Sequence, residues 1–254
     1  MRLIKKHYLL LLVLVAFGFG CRSCDTVESN KIAQSTIYQD YEIFATKDST
    51  SVTATFRVGG SGGTTIDLDA PSRIEYNGKE LTENLRTMFG GTNYSFSGGF
   101  QSSNQFSYTN GDGRTMANGI SFDPIEPVPG AREIKPREKT LILLSRPVGE
   151  NESLETTISS LEPTPTPLPQ NGNTEVRGNT GVDTPQYTRS LHNNLNGNRN
   201  GIEIDAGELK NFAPGQATLR ISVKGNSELQ QKTETGGSIN YTYSSQLIAV
   251  TVLK

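Results

Sequence analysis

Over residues 52–58 the apolar side chains fall on every second position: Val52, Ala54, Phe56 and Val58 alternate with Thr53, Thr55 and Arg57. The same beat returns at Ala217, Leu219, Ile221 and Val223, set against Thr218, Arg220, Ser222 and Lys224. A period of two puts successive side chains on opposite faces of a strand, whereas an amphipathic helix needs a period of 3.6. This chain must therefore build sheets with one buried and one wet face.

The rest of the sequence repeats the pattern between turn signals. Tyr41, Ile43 and Ala45 precede the Asp48-Ser49-Thr50 turn, and Thr64, Ile66 and Leu68 follow the glycine-rich stretch 59–63. Ile74 and Tyr76 lead into Asn77-Gly78, which marks a tight hairpin because both residues tolerate positive φ. Tyr94/Phe96 and Phe106/Tyr108 are aromatic pairs at strand spacing, and Asn110-Gly111-Asp112-Gly113 turns the chain towards Ile120 and Phe122. About seven short strands at such intervals predict an Ig-like sandwich over residues 36–125.

Pro124, Pro127, Pro129 and Pro136 then interrupt the pattern, and proline lacks the N–H a sheet ladder needs, so a domain boundary is expected here. Strands resume at 140–145, 153–159, Ile202/Ile204, 217–223, 238–243 and 246–253, with one helical turn at 206–210; they predict a second sandwich over 126–254. Residues 162–201 break the beat. Pro163, Pro165, Pro167 and Pro169 space a stiff stretch, and an Asn- and Gly-rich run follows that has little to bury and is expected to be disordered. The predicted fold class is all-β: two Ig-like antiparallel β-sandwich domains in tandem.

The start of the chain has a different character. Arg2, Lys5 and Lys6 precede an apolar run over residues 8–19, too short for a spanning helix and laid out as a secretory signal. It ends Gly18-Phe19-Gly20-Cys21, which resembles the lipobox of bacterial lipoproteins, with Gly18 where a Leu-type residue is usual. The resemblance implies cleavage after residue 20, lipidation of Cys21 with palmitate-type acyl chains, and attachment to a membrane through that lipid. Arg22, where an Asp would retain the protein at the inner membrane, implies the outer membrane of the cell envelope. Ordinary secretion, with Cys21 and Cys24 as a local thiol pair, is the alternative reading. Residues 21–35 are polar and unpatterned and read as a tether. The body resembles uncharacterised envelope lipoproteins built from paired β-sandwich modules, a resemblance that brings no activity with it.

Composition narrows the function. Hydrophobic residues make up 33% of the 254, too few for a polytopic membrane protein. Without residues 1–20, the 24 basic side chains fall to 21 against 26 acids, a net charge of −5, and His192 is the one imidazole left. A surface of that sign repels phosphate backbones, so no nucleic-acid partner is expected.

Each chemical motif has a plainer reading. Gly59-Gly60-Ser61-Gly62-Gly63 spells a nucleophile elbow but continues into a strand pattern instead of a helix, and fits a hairpin loop. Asn110-Gly111-Asp112-Gly113 looks like part of a calcium loop but lacks the acids at its first and twelfth positions, and fits a turn. Asp67, Asp69 and Asp123 are loop carboxylates that nothing singles out for calcium. One His and one thiol make no zinc cluster. No metal, cofactor or catalytic residue is therefore expected, and the chain is read as a non-enzymatic, lipid-anchored envelope protein of binding or structural type, with an envelope protein or a glycan as partner. The alternative is a glycan-active surface protein: a carboxylate-dependent glycosidase, or a carbohydrate-binding module with Tyr94, Phe100 and Tyr108 facing the ligand. The plainer reading of those rings is sandwich core.

Overall fold

The computed structural model describes residues 26–84, 91–129, 133–161, 188–191, 194–197 and 199–253. Residues 1–20, where a signal sequence is expected, and Cys21, Cys24 and His192 lie outside the described residues. The described residues are nearly all β, with two short 3₁₀ turns near the start, and none of their helices is long and apolar enough to cross a membrane.

The first half contributes ten strands. They are β1 (Val27–Glu28), β2 (Ile37–Ala45), β3 (Thr50–Val58), β4 (Ile66–Asp67), β5 (Arg73–Tyr76), β6 (Lys79–Glu80), β7 (Thr82–Asn84), β8 (Asn93–Gly98), β9 (Ser103–Thr109) and β10 (Thr115–Ser121). The turns behave as their residues dictate. Asn77 at φ 48° and Gly78 at φ 75° close the β5–β6 hairpin. Asn110 accepts the Asp112 and Arg114 N–H groups at 3.1 and 2.9 Å, shaping the β9–β10 turn. The 59–63 glycines make a strand-to-strand loop: Gly59 and Gly60 have positive φ, and Val58 N–H donates to Thr64 at 3.0 Å.

Strands β2, β3, β8 and β7 lie side by side, and β10, β9, β5 and β6 form a second sheet. The two press their aromatic faces together. Tyr41 of β2 stacks flat on Phe106 of β9 with centroids 4.4 Å apart, Phe56 of β3 meets Tyr108 at 4.5 Å, and Tyr76 of β5 meets Phe106 at 5.4 Å. Burying phenol rings obliges their hydroxyls to find partners. Tyr76 donates to Asn104 at 2.6 Å and Tyr41 to Gln39 at 2.8 Å, which brings Asn104 and Gln39 into the core.

The second half contributes β11 (Glu133–Ile134), β12 (Thr140–Leu143), β13 (Glu152–Ser160), β14 (Thr188–Leu191), β15 (Asn194–Leu195), β16 (Gly201–Ile204), β17 (Gly215–Glu228), β18 (Gly237–Ser244) and β19 (Ile248–Val252). Strand β17 is the spine. One edge pairs with β13, the other with β19 and then β18, and Ala217, Leu219, Ile221 and Val223 point inward, each fully buried. Strands β12, β16 and β15 make a separate small sheet.

The structure departs from expectation at five points. The tandem regions do not simply follow one another: Gln39–Ala45 of β2 pairs in parallel with Gly237–Tyr243 of β18, so one ten-stranded sheet runs through both halves, and their buried residues form one cluster. This junction, β1–β4 and β11–β19 are parallel, against an antiparallel expectation. Residues 26–35, expected as tether, belong to the fold: β1 pairs with β4, Ser29 is fully buried and donates to Ser72, and the Gln34 side chain bridges the Ser29 carbonyl and the Gly111 N–H. In the stretch 162–201, β14 pairs with β13 and β15 with β16; residues 162–187 lie outside the described residues. Residues 206–210 form turns, not a helix.

The loop between β17 and β18 folds back over β10, the edge strand of the second sheet. The side-chain oxygens of Gln231 and Gln230 accept the Ala117 and Gly119 N–H groups, each at 3.0 Å, and Gln230 donates to the Gly119 carbonyl at 3.1 Å. Two side-chain amides thus stand in for a neighbouring strand and seal an edge that would otherwise invite pairing.

Phe106 touches both Tyr41 and Tyr76 at the centre of the first-half core. Phe106→Ala is expected to cost about 3–5 kcal/mol in urea unfolding, because the emptied site is walled by rings that cannot collapse into it. A loss below about 1 kcal/mol would show that this layer is not central to the core.

Candidate functional site

Strand β18 places Tyr241 and Tyr243, two residues apart, on its buried face, and both reach polar groups of the connection between the halves. The Tyr241 ring lies flat on Phe122, centroids 4.4 Å apart and planes 3° from parallel. Its hydroxyl donates to Glu152 at 2.5 Å. Glu152 is gripped from the other side by the two-pronged Arg146 guanidinium, both contacts at 2.8 Å, and by the Gly149 N–H at 2.5 Å. Arg146 also donates to the Asp123 carbonyl at 3.1 and 3.0 Å, tying down the proline-rich crossing. Alongside, Tyr243 donates a short hydrogen bond to Glu126, whose second oxygen accepts the Gln246 N–H at 3.2 Å.

The electrostatics follow from these contacts. Burial by itself would raise the Glu152 carboxyl, but the hydrogen bonds from Arg146, Tyr241 and Gly149 and the guanidinium charge outweigh it and hold it at about 2. The Tyr241 and Tyr243 hydroxyls are pushed well above the usual tyrosine value, first by burial and then by the carboxylates they donate to.

Beyond Glu126 the chain opens into a groove of about 520 Å³ between β12 and β19. One wall is Leu141, Ile142 and Leu143; the other is Leu247, Ile248 and Val250; Val128 and the flanking prolines lie between. Val128, Leu141, Leu143 and Leu247, each 45–56% exposed, are four of the six large hydrophobic residues that the described part of the chain leaves in solvent. Four exposed aliphatic side chains converging on one concavity are unlike the scattered apolar residues of an ordinary surface, and make this groove the candidate site. Lys47, Thr140, Glu126 and Gln246 are the polar residues of the lining, and Glu126 and Gln246 are hydrogen-bonded to each other.

The rings expected to face a ligand are elsewhere. Tyr108 is fully buried in the aromatic core and Tyr94 is 5% exposed, its hydroxyl accepting the Leu68 N–H at 2.7 Å. Burial pushes the Tyr94 hydroxyl up to about 12, against the lowering effect of the Leu68 hydrogen bond. Phe100 is half-buried and packs edge-on against Phe122 and Tyr243 at the junction. A ring enclosed by protein cannot stack on a sugar, so Tyr94 and Tyr108 are core residues. Asp67 accepts from Thr26 at 2.7 Å, and the Asp69 N–H donates to Ser29 at 2.9 Å, fixing the first strand. Among the described residues no three His, Cys, Asp or Glu side chains cluster as metal ligands.

The groove residues are absent from the sequence expectations, although a signal exists. Leu141-Ile142-Leu143-Leu144 is apolar at consecutive positions, so a strand there has both faces apolar and one must be covered by something other than its own sheet.

These features define an all-β protein carrying an aliphatic groove beside a charge-braced junction. No protein-family model matches the chain, and no curated protein matches it. Among solved structures it is similar to SGBP-B of the Bacteroides ovatus mixed-linkage glucan utilization locus, in complex with a mixed-linkage heptasaccharide, at 10% identity and a TM-score of 0.24. The match covers 80% of this chain and 52% of that one, so this chain spans about half the length of that protein. A likeness of this degree carries no argument about the present chain.

Because Glu152 titrates far below the ordinary 4.5, the stability it contributes is present above that pH and is lost as pH falls towards 2. Thermal melts between pH 7 and 2.5 should show this loss in the parent and a smaller one in Glu152→Gln. At pH 7 Glu152→Gln should lose about 1.5–3 kcal/mol, the worth of its charged hydrogen bonds. An unchanged acid profile would refute the bracing role.

Proposed function

We propose that this is a lipid-anchored cell-envelope protein of binding type, held at the outer membrane through Cys21 and presenting two Ig-like sandwich modules fused through a shared sheet. The observation that carries the binding role is the groove. Its exposed side chains lose about 25 cal/mol for each Å² of apolar surface left in water, a cost recovered when a partner covers them. The lipid anchor rests on the Gly18-Phe19-Gly20-Cys21 lipobox and the basic, apolar signal ahead of it.

The chemistry of the junction favours binding over catalysis. A glycosidase needs one carboxylic acid kept protonated near neutral pH. Glu152 is displaced in the opposite direction, and both oxygens of Glu126 already accept hydrogen bonds from the protein. A sugar platform is disfavoured by the burial of Tyr94 and Tyr108 and by a groove lining without an aromatic ring. The net charge of −5 that follows signal removal speaks against nucleic acid.

Two measurements test this. Cys21→Ala should abolish incorporation of radioactive palmitate and release the protein from the membrane fraction; a variant still labelled and sedimenting with membranes defeats the anchor. The double variant Leu141→Asp/Leu143→Asp, with circular dichroism unchanged, should lose most of the parent's 1-anilinonaphthalene-8-sulfonate fluorescence. Undiminished dye binding would remove the groove as the binding surface.

A further inference from the structure

We infer that the end of the molecule bearing the glycine-rich loop 59–63 lies against the lipid headgroups of the anchoring membrane, with the groove held away from them. The inference rests on lipidation of Cys21, as proposed above, and assigns the surface that then meets the bilayer.

Topology fixes where the chain enters the fold. After the loop, the chain runs back alongside β3 into β4, with Val58 N–H donating to Thr64 at 3.0 Å and Thr65 bridged to Arg57. Strand β1 is parallel to β4, and Val27 N–H donates to Thr65 at 3.1 Å, so β1 starts at the loop end. Two further segments close the same end: Gly59 N–H donates to Thr36 at 2.8 Å and Glu234 N–H to Ser35 at 3.1 Å. The β2–β3 hairpin has Ile37 opposite Val58 there, and its turn, residues 46–49, lies at the other end and carries Lys47 into the groove lining.

Tether length turns this layout into an orientation. Thr26, the first described residue, is fixed by its hydroxyl bond to Asp67 at 2.7 Å. It follows Cys21 by five positions, a stretch of chain that spans at most about 18 Å. Strand β2 alone, nine residues long, covers about 27 Å. A tether shorter than one strand keeps its own end of the body nearest the bilayer; for the groove end to arrive first, the tether would have to double back along the protein.

Composition suits the tethered end to close approach. Residues 33–36, 59–65 and 233–237 hold six glycines, and Glu234 is the single charge among them. The adjoining β9–β10 turn, joined through Gln34 and the Gly111 N–H, carries Asp112 and Arg114, opposite in sign. Gly63 is required by packing, since a Cβ would strike the Val58 carbonyl at 1.8 Å, but Gly62 has neither positive φ nor a neighbour within 4 Å of a Cβ. Nothing inside the protein asks for glycine at 62. A headgroup layer does, because a small uncharged surface comes close to it without stripping water from charged side chains or meeting lipid charge.

The test uses the lipidated full chain, purified from membranes and returned to phosphatidylethanolamine–phosphatidylglycerol vesicles that include a lipid with a nitroxide on its headgroup. In a Cys24→Ser background, Ser61→Cys and Asp48→Cys, both at exposed positions, are each labelled with bimane. The label at 61 should lose most of its fluorescence to the nitroxide, and that at 48 only a small part. Inserting about twenty Gly/Ser residues after position 24, which adds about 25 Å of reach, should restore most of the fluorescence at 61. Equal quenching at the two positions, stronger quenching at 48, or quenching at 61 unmoved by the insertion overturns the inference. If the label at 61 stays bright although the protein sediments with the vesicles, the lipid anchor stands and the orientation falls. A chain that takes up no radioactive palmitate and stays out of the vesicles defeats the anchor, and the orientation with it.

Discussion

The parallel pairing of Gln39–Ala45 with Gly237–Tyr243 fixes everything else about the molecule's layout. Parallel strands have no tight turn to join them, so the pair must be held by what packs on its faces. Tyr41, Ile43, Ile239, Tyr241 and Tyr243 supply that packing and make one core out of two regions. The hydroxyls of Tyr241 and Tyr243 then need acceptors, and Glu152 and Glu126 provide them. Glu152 in turn needs Arg146, which ties down the Asp123 carbonyl. Each polar contact at the junction answers a demand created by the ring before it, and the groove opens where this series ends, at Glu126.

Tyrosine does the work that tryptophan or phenylalanine could have done at lower polar cost. The chain has no tryptophan, and the largest fully buried side chains among the described residues are Tyr41, Tyr76, Tyr108 and Tyr243. Three of these four hydroxyls are matched inside the protein, by Gln39, Asn104 and Glu126, while that of Tyr108 has no hydrogen-bond partner in the structure. A core built on phenols is specific, because even a two-residue shift of one strand, which keeps its rings inside, would take their hydroxyls away from their acceptors.

Much of this was legible from the sequence. The alternation at 52–58 and 217–223 identifies β3 and β17 and their inward faces, and Asn77-Gly78 and Asn110-Gly111-Asp112-Gly113 identify the β5–β6 and β9–β10 turns, because these are local consequences of side-chain size and backbone freedom. The partner of each strand was not legible, since alternation says which face is buried and nothing about which strand lies alongside. Hence the sequence alone places β2 and β18 in different modules. Residues 26–35 read as tether because Ser29 and Gln34 are polar; their place in the fold depends on Ser72 and Gly111, more than forty positions away. Tyr94 and Tyr108 were recognisable as sandwich residues, yet period two alone cannot tell a ring's inward face from its outward one. The groove is assembled from Lys47, 126–129, 140–143 and 246–250, segments far apart in sequence, and its local trace is the unbroken apolar run at 141–144.

The same junction sets the order of folding. Ser238 and Asp40 are hydrogen-bonded across 198 positions of sequence, so an early strand of the chain cannot complete its pairing until one of the last has been made. Closing so large a loop is slow compared with forming hairpins, since its entropy must be lost before any contact rewards it. The β2–β3 and β9–β10 hairpins can form while the rest is still arriving, but the sheet that joins the halves stays unfinished until residue 243 is present. A chain with this topology becomes a single body only when its C-terminal strands arrive.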